Sequence, residues 1–373
     1  MNSMVLSDKI SPLQTEYATH CIYDAETIAI VTHQNPDGDA LGSSLAMRHW
    51  LLSLGKKHVT NIVPTSFPDF LAWLPGAESI VQAEQEHDRA VKALSEADLV
   101  ICTDLGEANR VAALSGALAE RFEAHFAGKK SEDGKRAKGL LIIDHHLSPI
   151  CSEHAEQIAY PDSASASELV FRLAHKITPD FLTADFATCI YTGMMTDTGN
   201  FSYNSCQPEM YTIVAMLLTT GINKDAIYDR VFNAYTADRV RLMGYCLYHK
   251  MRLFPEYHTA LITLNRREIY RFNAKSGDME GIVNLPLQIK DIYYSVFMRE
   301  DKVPPHQQAI AGGAKVKSKI SFRSQCDRPV NVLAREVFRG GGHRNASGGE
   351  YFGKVDDAAQ KLIETMPKYF FTE

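Results

Sequence analysis

A short apolar run that ends abruptly in three ionisable residues constrains the fold of this chain more than any other stretch. Leu140–Ile143 are all apolar and do not alternate with polar residues, as in a strand that is buried on both faces. Asp144, His145 and His146 follow at once. Burying three such groups costs free energy unless a partner, a metal ion or a substrate compensates them. We therefore expect this strand to end at a ligand-binding edge.

The same pattern, an apolar run that leads into potential ligands, occurs twice upstream. The two stretches are Thr27–Thr32, followed by His33, Asp37 and Asp39, and Ala97–Thr103, followed by Asp104. Helical patterns follow these runs, and this alternation predicts an α/β fold with a parallel, Rossmann-like sheet and helices on both faces. The carboxyl ends of parallel strands lie at one edge of a sheet, where such folds bind ligands. We therefore expect the three motifs to meet in space.

The pattern changes near His258, after which shorter, alternating strands predominate. This change predicts a smaller α+β domain at the C-terminal end. At 373 residues the chain is long enough for two cores. We predict a first domain over 1–222, a helical linker over 223–252 and a second domain over 253–373.

Charge and composition limit the partners. With 39 basic and 45 acidic residues the formal charge is −6, which disfavours a long basic track for polymeric nucleic acid. Seven scattered cysteines indicate reduced thiols, and the N-terminal stretch lacks the apolar segment of a signal peptide. These features predict a cytoplasmic protein without a membrane partner. We interpret the mostly basic residues 127–139 as a solvated surface insertion, with phosphate steering as the alternative.

Enough polar groups are predicted at this edge to bind two divalent ions. They include Asp197, an acid that follows an apolar helix. The candidate ligands are His33, Asp37, Asp39, Asp104, His145 and Asp197. Carboxylate and imidazole donors suit Mn²⁺, with Mg²⁺ or Co²⁺ as alternatives. Two such ions can bind a phosphate ester and activate water. The competing interpretation, separate strand-end caps and surface acids, is disfavoured because several motifs are expected at one edge.

A glycine-rich segment, GGGHRNASGG at 340–349, is the main candidate for anion binding in the second domain. Glycines let a backbone approach a ligand and present N–H groups to it. Alone the segment is equally compatible with a tight turn, but basic residues lie close to it. The predicted phosphate site comprises Arg323, Gly341, Gly342, His343 and Arg344.

Four motifs in order make a family resemblance specific. HQNPDGD (33–39), TDLG (103–106), DHH (144–146) and GMMTDTGNF (193–201) resemble the motifs of the DHH phosphoesterase superfamily. ISFRS (320–324) and the GGGH segment resemble its DHH-associated C-terminal domain. The overall size is similar to that of the stand-alone nanoRNase/pAp phosphatase (oligoribonuclease) group.

The resemblance implies a role for each residue. One ion would be held by His33, Asp37, Asp104 and Asp197, and the other by Asp39, Asp104, His145 and Asp197. Asp104 and Asp197 would bridge the two ions. His146 and Asp144 would be catalytic, His146 beside the reacting phosphate and Asp144 orienting the histidines. The active site would lie in a cleft between a catalytic domain and a substrate-binding domain.

The implied function is hydrolysis of short oligonucleotides or linear dinucleotides, such as pApA or pGpG, to mononucleotides, and of pAp to AMP. A homodimer is expected from the resemblance, and long duplex nucleic acid is not expected as a partner. One alternative is a RecJ-type exonuclease on long single strands, which would need a further binding domain. A pyrophosphatase of the same superfamily would lack the GGGH pattern. A non-catalytic nucleotide sensor would be expected to have lost metal ligands.

Overall fold

The computed structural model describes residues 6–106, 108–126, 139–146, 157–275, 277–303 and 307–370. The chain divides into two compact units, with the boundary between Ala234 and Tyr235. Each unit contains one six-stranded sheet. The boundary falls inside the predicted linker, and the division into catalytic domain, linker and substrate-binding domain stays a prediction.

The first unit is built on a parallel sheet with the strand order β3-β2-β1-β4-β5-β6. The strands are β1 (Thr27–Val31), β2 (His58–Val63), β3 (Val81–Gln82), β4 (Leu99–Thr103), β5 (Gly139–Asp144) and β6 (Gln157–Ala159). The strand order reverses at β1, so the loops after β1 and β4 open at the point where sheets of this kind bind ligands. The α/β prediction is confirmed.

Helices cover both faces of this sheet. Within the described residues they are α1 (Pro12–Asp24), α2 (Gly38–Ser53), α3 (His87–Glu96), α4 (Ser115–Phe126), α5 (Ala166–Ile177), α6 (Ala184–Asp197), α7 (Pro208–Leu218) and α8 (Lys224–Phe232). Alternate residues of β1 enter two separate cores: Ile28 and Ile30 pack in one, and Ala29 and Val31 in the other. The strands are apolar without alternation because both of their faces are buried.

The second unit is a mixed α+β structure, as predicted. Its sheet has the order β11-β12-β10-β9-β8-β7, and of its neighbouring pairs β8 and β9 run parallel while the others are antiparallel. The elements are α9 (Ala237–Tyr245), β7 (Met251–Phe254), β8 (Thr259–Leu264), α10 (Arg266–Arg271), β9 (Tyr294–Lys302), β10 (Val316–Ser324), α11 (Asn331–Phe338), β11 (Gly341–His343), β12 (Ala346–Tyr351) and α12 (Val355–Tyr369). Residues of α11 and α12 bury one face of this sheet.

The sequence pattern also predicts a helix over Met279–Leu287 and a helix from Ala108 to about Phe126, and both predictions are wrong in detail. The helix expected over 279–287 is a 3₁₀ turn at Ile282–Gln288, since Pro286 inside it cannot donate the N–H that an α-helix requires. The helix expected from residue 108 begins at Ser115, because the preceding backbone kinks and Ala112 has φ +50°. The basic residues 127–138 lie outside the described ranges. Across those ranges, no helix combines the length and the apolar character that crossing a membrane requires.

Candidate metal centre and active site

The loop after β1 places three predicted ligands around the N-terminus of α2. His33 is buried, and its Nε2 lies 3.9 Å from Oδ2 of Asp37. Asp37 is the N-cap of α2, where its Oδ1 accepts hydrogen bonds from the backbone N–H groups of Asp39 (3.0 Å) and Ala40 (3.1 Å). Asp39, in the first turn, is 1% exposed. The HQNPDGD motif is therefore both a helix start and a cluster of potential metal ligands.

Asp104 lies at the centre of the cluster. It follows β4 with a left-handed backbone, φ +53°, and is 3% exposed. Its Oδ2 is 3.4 Å from Nε2 of His33, and its Oδ1 is 3.5 Å from Nε2 of His145. Oδ1 is also 3.6 Å from Nδ1 of His146. One carboxylate thus contacts imidazoles from two different strand ends.

The three residues of the DHH motif point to different partners. Asp144 ends β5, and its Oδ1 accepts hydrogen bonds from the backbone N (2.9 Å) and Nδ1 (2.6 Å) of His146. Oδ2 of Asp144 accepts from the backbone N of Gly106 at 2.5 Å. His145 instead directs its Nε2 to carboxylates on other elements, 3.4 Å from Asp197 and 3.8 Å from Asp39. Asp144 thus supports His146, while His145 faces the acids.

Among the groups of described side chains whose ligand atoms lie close enough together to hold a metal ion, two consist of predicted ligands alone. The ligand atoms of His33, Asp37 and Asp104 lie within 4.8 Å of one another, and the same is true of Asp39, His145 and Asp197. Oδ1 of Asp104 is buried and accepts no hydrogen bond from the described residues. An orphaned buried carboxylate oxygen among imidazole and carboxylate donors is what a divalent ion would compensate. The residues present therefore fit two such ions, with Asp104 between the groups.

The electrostatics of the cluster favour a cation. Burial raises the pKa of Asp197 to about 6, against the lowering effect of His145. Burial and the nearby Asp104 also raise the pKa of Asp39 well above its ordinary value. Burial lowers the pKa of His145, but the surrounding acids, first Asp197, outweigh burial and raise it well above its ordinary value. The acids repel one another, and protons or cations relieve that repulsion.

The sequence reasoning missed Arg110, which lies next to His146. Nη1 of Arg110 is 3.1 Å from Nε2 of His146 and donates to the carbonyl of Leu105 at 3.3 Å. Because a guanidinium can only donate, Nε2 of His146 is the acceptor, and its Nδ1 carries the proton given to Asp144. The sequence pattern predicts a regular helix at residue 110, whereas the structure has a 3₁₀ segment there that kinks at Val111 and Ala112.

A second missed contribution comes from the start of α5. The backbone N–H groups of Ala166 and Ser167 donate to the two carboxylate oxygens of Asp39. Three buried serines, Ser163, Ser165 and Ser167, precede or enter this helix, and serine is a residue type typical of helix starts. Asp39 lies 127 positions before Ala166 and 128 before Ser167 in the chain, and no local pattern points to this contact.

In the second unit, Arg323 lies in β10, opposite Ser295 of β9 and Ala346 of β12. Its Nη1 donates to the carbonyl of Phe322 at 2.9 Å. Arg344 is exposed and forms an ion pair with Asp327 at 2.5 Å. The substrate-binding role of both arginines stays a prediction.

The glycine-rich segment forms the hairpin β11–β12. Gly341, Gly342 and His343 make up β11, and a Cβ at Gly342 would lie 2.7 Å from the carbonyl oxygen of Ala346. Gly342 also has φ +129°, which side chains rarely allow. The hairpin therefore requires glycine at this position whether or not a phosphate binds there. The predicted cleft between the domains also stays a prediction.

Comparisons with known proteins agree with the motifs. Residues 27–194 match the DHH family, N-terminal domain. An exopolyphosphatase-related protein from Bacteroides fragilis, of known structure, has a TM-score of 0.82 and 40% sequence identity, with 98% of each chain covered. This chain belongs to the DHH family. The predicted resemblance is therefore confirmed.

Two further proteins are similar to this DHH-family chain. The bifunctional oligoribonuclease and PAP phosphatase NrnA of Thermus thermophilus is 27% identical over 341 residues, which cover 91% of this chain and 89% of the relative. RecJ of Thermus thermophilus, solved in complex with Mn²⁺, has a TM-score of 0.51 at 13% identity. That alignment covers 98% of this chain and 55% of the RecJ chain. At this identity the likeness to RecJ concerns the fold alone.

Proposed function

We propose that this protein is a metal-dependent phosphoesterase that hydrolyses short oligonucleotides and linear dinucleotides, such as pApA or pGpG, to mononucleotides, and pAp to AMP. The observation that carries the proposal is the shared position of Asp104 between two groups of metal-ligand donors. The His146–Arg110 pair lies at the same carboxylate.

The enzyme class follows from the family and its named members. The chain is a DHH-family protein, and a relative covering most of its length carries the name of an oligoribonuclease and PAP phosphatase. The chain is a phosphoester hydrolase. The choice among phosphoester substrates is part of the proposal.

The metal ligands are proposed as two sets that share bridging acids. His33, Asp37, Asp104 and Asp197 would hold one ion, and Asp39, Asp104, His145 and Asp197 the other. Mn²⁺ is the proposed ion because the donors are oxygens and imidazole nitrogens, with Mg²⁺ or Co²⁺ as alternatives. When bound, such ions supply Lewis-acid activation of water and of the phosphoryl group.

Arg110, His146 and Asp144 would stabilise negative charge and transfer a proton beside the phosphate. When Arg110 turns to a phosphate oxygen, the lone pair of His146 Nε2 becomes available, so His146 can take up a proton there. Asp144, hydrogen-bonded to Nδ1 of His146, would stabilise the resulting imidazolium. Arg110 uses Nη1 for both of its contacts described above, and its remaining N–H donors suit phosphoryl oxygens.

Substrate binding is assigned to the second unit. Arg323, the backbone of Gly341 and Gly342, His343 and Arg344 would hold the terminal phosphate or nucleotide. Arg344 would have to exchange its exposed ion pair with Asp327 for a phosphate contact, which costs little because exposed pairs contribute little. The cytoplasmic location and the homodimer remain part of this proposal.

The test is product analysis with Mn²⁺ on pApA, pGpG, pAp, cyclic dinucleotides, long single-stranded DNA and pyrophosphate. We expect the linear dinucleotides and pAp to be hydrolysed and the long strand to be a poor substrate. Rapid hydrolysis of the long strand or of pyrophosphate, with dinucleotides untouched, would replace the proposal by the RecJ-type or pyrophosphatase alternative. Binding of dinucleotides without any turnover would indicate the sensor.

Asp104→Ala tests the two-metal assignment in the same assay. Because Asp104 contacts ligands of both groups, we expect the variant to lose hydrolysis altogether. Asp225→Ala is the matched control, since Asp225 is an exposed acid paired with Lys224 and should leave turnover unchanged. Retained turnover in Asp104→Ala would contradict the assignment.

A further inference from the structure

Asp39 is held by the first two residues of α5. Its Oδ2 accepts a hydrogen bond from the backbone N of Ala166 at 2.6 Å, and its Oδ1 accepts one from the backbone N of Ser167 at 2.9 Å. Both carboxylate oxygens therefore receive main-chain donors at a helix N-terminus, where the helix dipole favours negative charge. Two bonds to one planar carboxylate fix its position and its orientation.

The start of α5 is itself fixed independently of Asp39. Ser165 is the N-cap, and its side chain accepts from the backbone N of Glu168 at 3.1 Å. Glu168 is buried; its Oε2 accepts from the backbone N of Ala164 at 2.8 Å, and its Oε1 from Nε of Arg172 at 2.7 Å. The two amides that bind Asp39 are therefore held in position by contacts that do not involve Asp39.

On the other side, α6 leaves no space around Asp39. A Cβ added at Gly193 would lie 2.8 Å from Oδ1 of Asp39 and 1.9 Å from Oγ of Ser167. The absence of a side chain at Gly193 is what lets α6 pass this close to the start of α5. The side chain of Asp39 is thus confined between α5 and α6, and this packing restricts its rotamer.

We infer that the N-terminus of α5 positions Asp39 for one of the two ions, and that Ser165 and Ala166 are positioning residues that set the affinity of that ion. The inference rests on the proposed function. Asp39 groups with His145 and Asp197, whereas Asp37, in the other group, accepts its hydrogen bonds from its own helix. Disturbing α5 should therefore weaken one binding step and spare the other.

Ala166→Pro removes one of the two N–H donors. Proline is tolerated at the first position of a helix, and Ser165 has the extended backbone (φ −166°, ψ 162°) that a residue before proline prefers. Ala237→Pro is the matched control, because Ala237 occupies the same position in α9 and follows the extended N-cap Thr236.

The measurement is calorimetric titration of each variant with Mn²⁺ alone, with the bound metal counted by elemental analysis. We expect Ala166→Pro to weaken one of two binding steps by about 10- to 100-fold and to leave the other within about twofold, as removal of a hydrogen-bond partner of a metal ligand does. Ala237→Pro should match the wild type in both steps.

Ser165→Ala decides the question if Ala166→Pro does not fold, as judged by circular dichroism. It removes the cap of α5 without changing any atom that contacts Asp39, so we expect a smaller loss, about 2- to 5-fold, in the same step. Thr236→Ala removes the corresponding cap of α9 and should bind both ions as the wild type does.

The outcomes separate the two proposals. A wild-type chain that binds no Mn²⁺ would overturn the proposed function and this inference with it. A wild type that binds two ions, with Ser165→Ala and every folded Ala166→Pro sample matching their controls, would overturn the inference alone.

Discussion

Asp104 combines a strained backbone with a central position in the cluster. Its φ of +53° is unusual for a residue with a side chain, and a left-handed backbone costs about 1–3 kcal/mol. This backbone conformation directs the Asp104 carboxylate toward His33 and His145 together. Asparagine shares the tolerance for this conformation, so strain alone does not explain the aspartate. What explains the aspartate is its negative charge, which lies between the imidazoles of His33 and His145.

Arg110 is expected to act on the reaction without binding a metal ion. In Arg110→Met we expect kcat/KM for pApA to fall by about 100-fold, because a charged donor near the phosphate is lost. Mn²⁺ should still bind to the variant, since the Arg110 side chain donates to His146 and Leu105 rather than to a predicted ligand. Arg89→Met, at an exposed arginine of α3, is the control. Unchanged turnover in Arg110→Met would remove Arg110 from the active site.

Metal binding by this cluster should depend on pH in a defined direction. The pKa of Asp197 is raised to about 6 and that of His145 is raised well above its ordinary value, so both hold protons in the metal-free chain at acidic pH. An ion must displace these protons, and its apparent affinity should therefore rise as pH increases through about 6 and keep rising above it.

The measurement is calorimetry with Mn²⁺ at about pH 5 and about pH 8, in buffers of different ionisation enthalpy, which counts the protons released. More protons should be released at the lower pH. An affinity that is independent of pH over this range would contradict the raised pKa values of Asp197 and His145.

At the scale of elements, α2 shows how one residue can serve structure and site together. Asp37 caps the helix through Oδ1, while its Oδ2 faces His33. The two roles can be separated because asparagine caps a helix about as well as aspartate does, whereas its neutral amide oxygen attracts a divalent ion less strongly than a carboxylate does.

We therefore expect Asp37→Asn to keep the free energy of unfolding of the metal-free chain and Asp37→Ala to lower it by about 1 kcal/mol. Both variants should bind Mn²⁺ more weakly than the wild type. Chemical denaturation without metal and calorimetry with metal measure the two effects. Wild-type Mn²⁺ affinity in Asp37→Asn would show that Asp37 is a cap and not a ligand.

At the scale of the whole molecule, the proposal assigns chemistry to the first unit and substrate binding to the second. His343→Ala tests this assignment. If His343 binds the substrate in the ground state and the transition state alike, KM for pApA should rise by about tenfold while kcat changes little. His249→Ala, at an exposed histidine of the same unit, is the control. An unchanged KM in His343→Ala would remove this histidine from substrate binding.

Much of the architecture was predictable because it depends on local patterns. Apolar runs without alternation predicted strands buried on both faces, and the polar residues after β1, β4 and β5 predicted that edge of the sheet. The 3₁₀ turn around Pro286 and the kink before Ser115 were missed. The proline at 286 and the positive φ of Ala112 interrupt helices that the hydrophobic pattern favours, and that pattern carries no information about either constraint.

The sequence by itself determined which residue types stand at the strand ends, and with them the family and the enzyme class. Only the tertiary structure decided how these groups support one another. Asp39 meets the start of α5 across 127 positions, and Arg110 meets His146 across 36. The first contact arises from the packing of α2, α5 and α6, and the second from the neighbouring ends of β4 and β5. No periodicity along the chain encodes either contact. The DHH motif supplied three ionisable side chains, whereas the folded chain pairs Asp144 with His146 and directs His145 to Asp197.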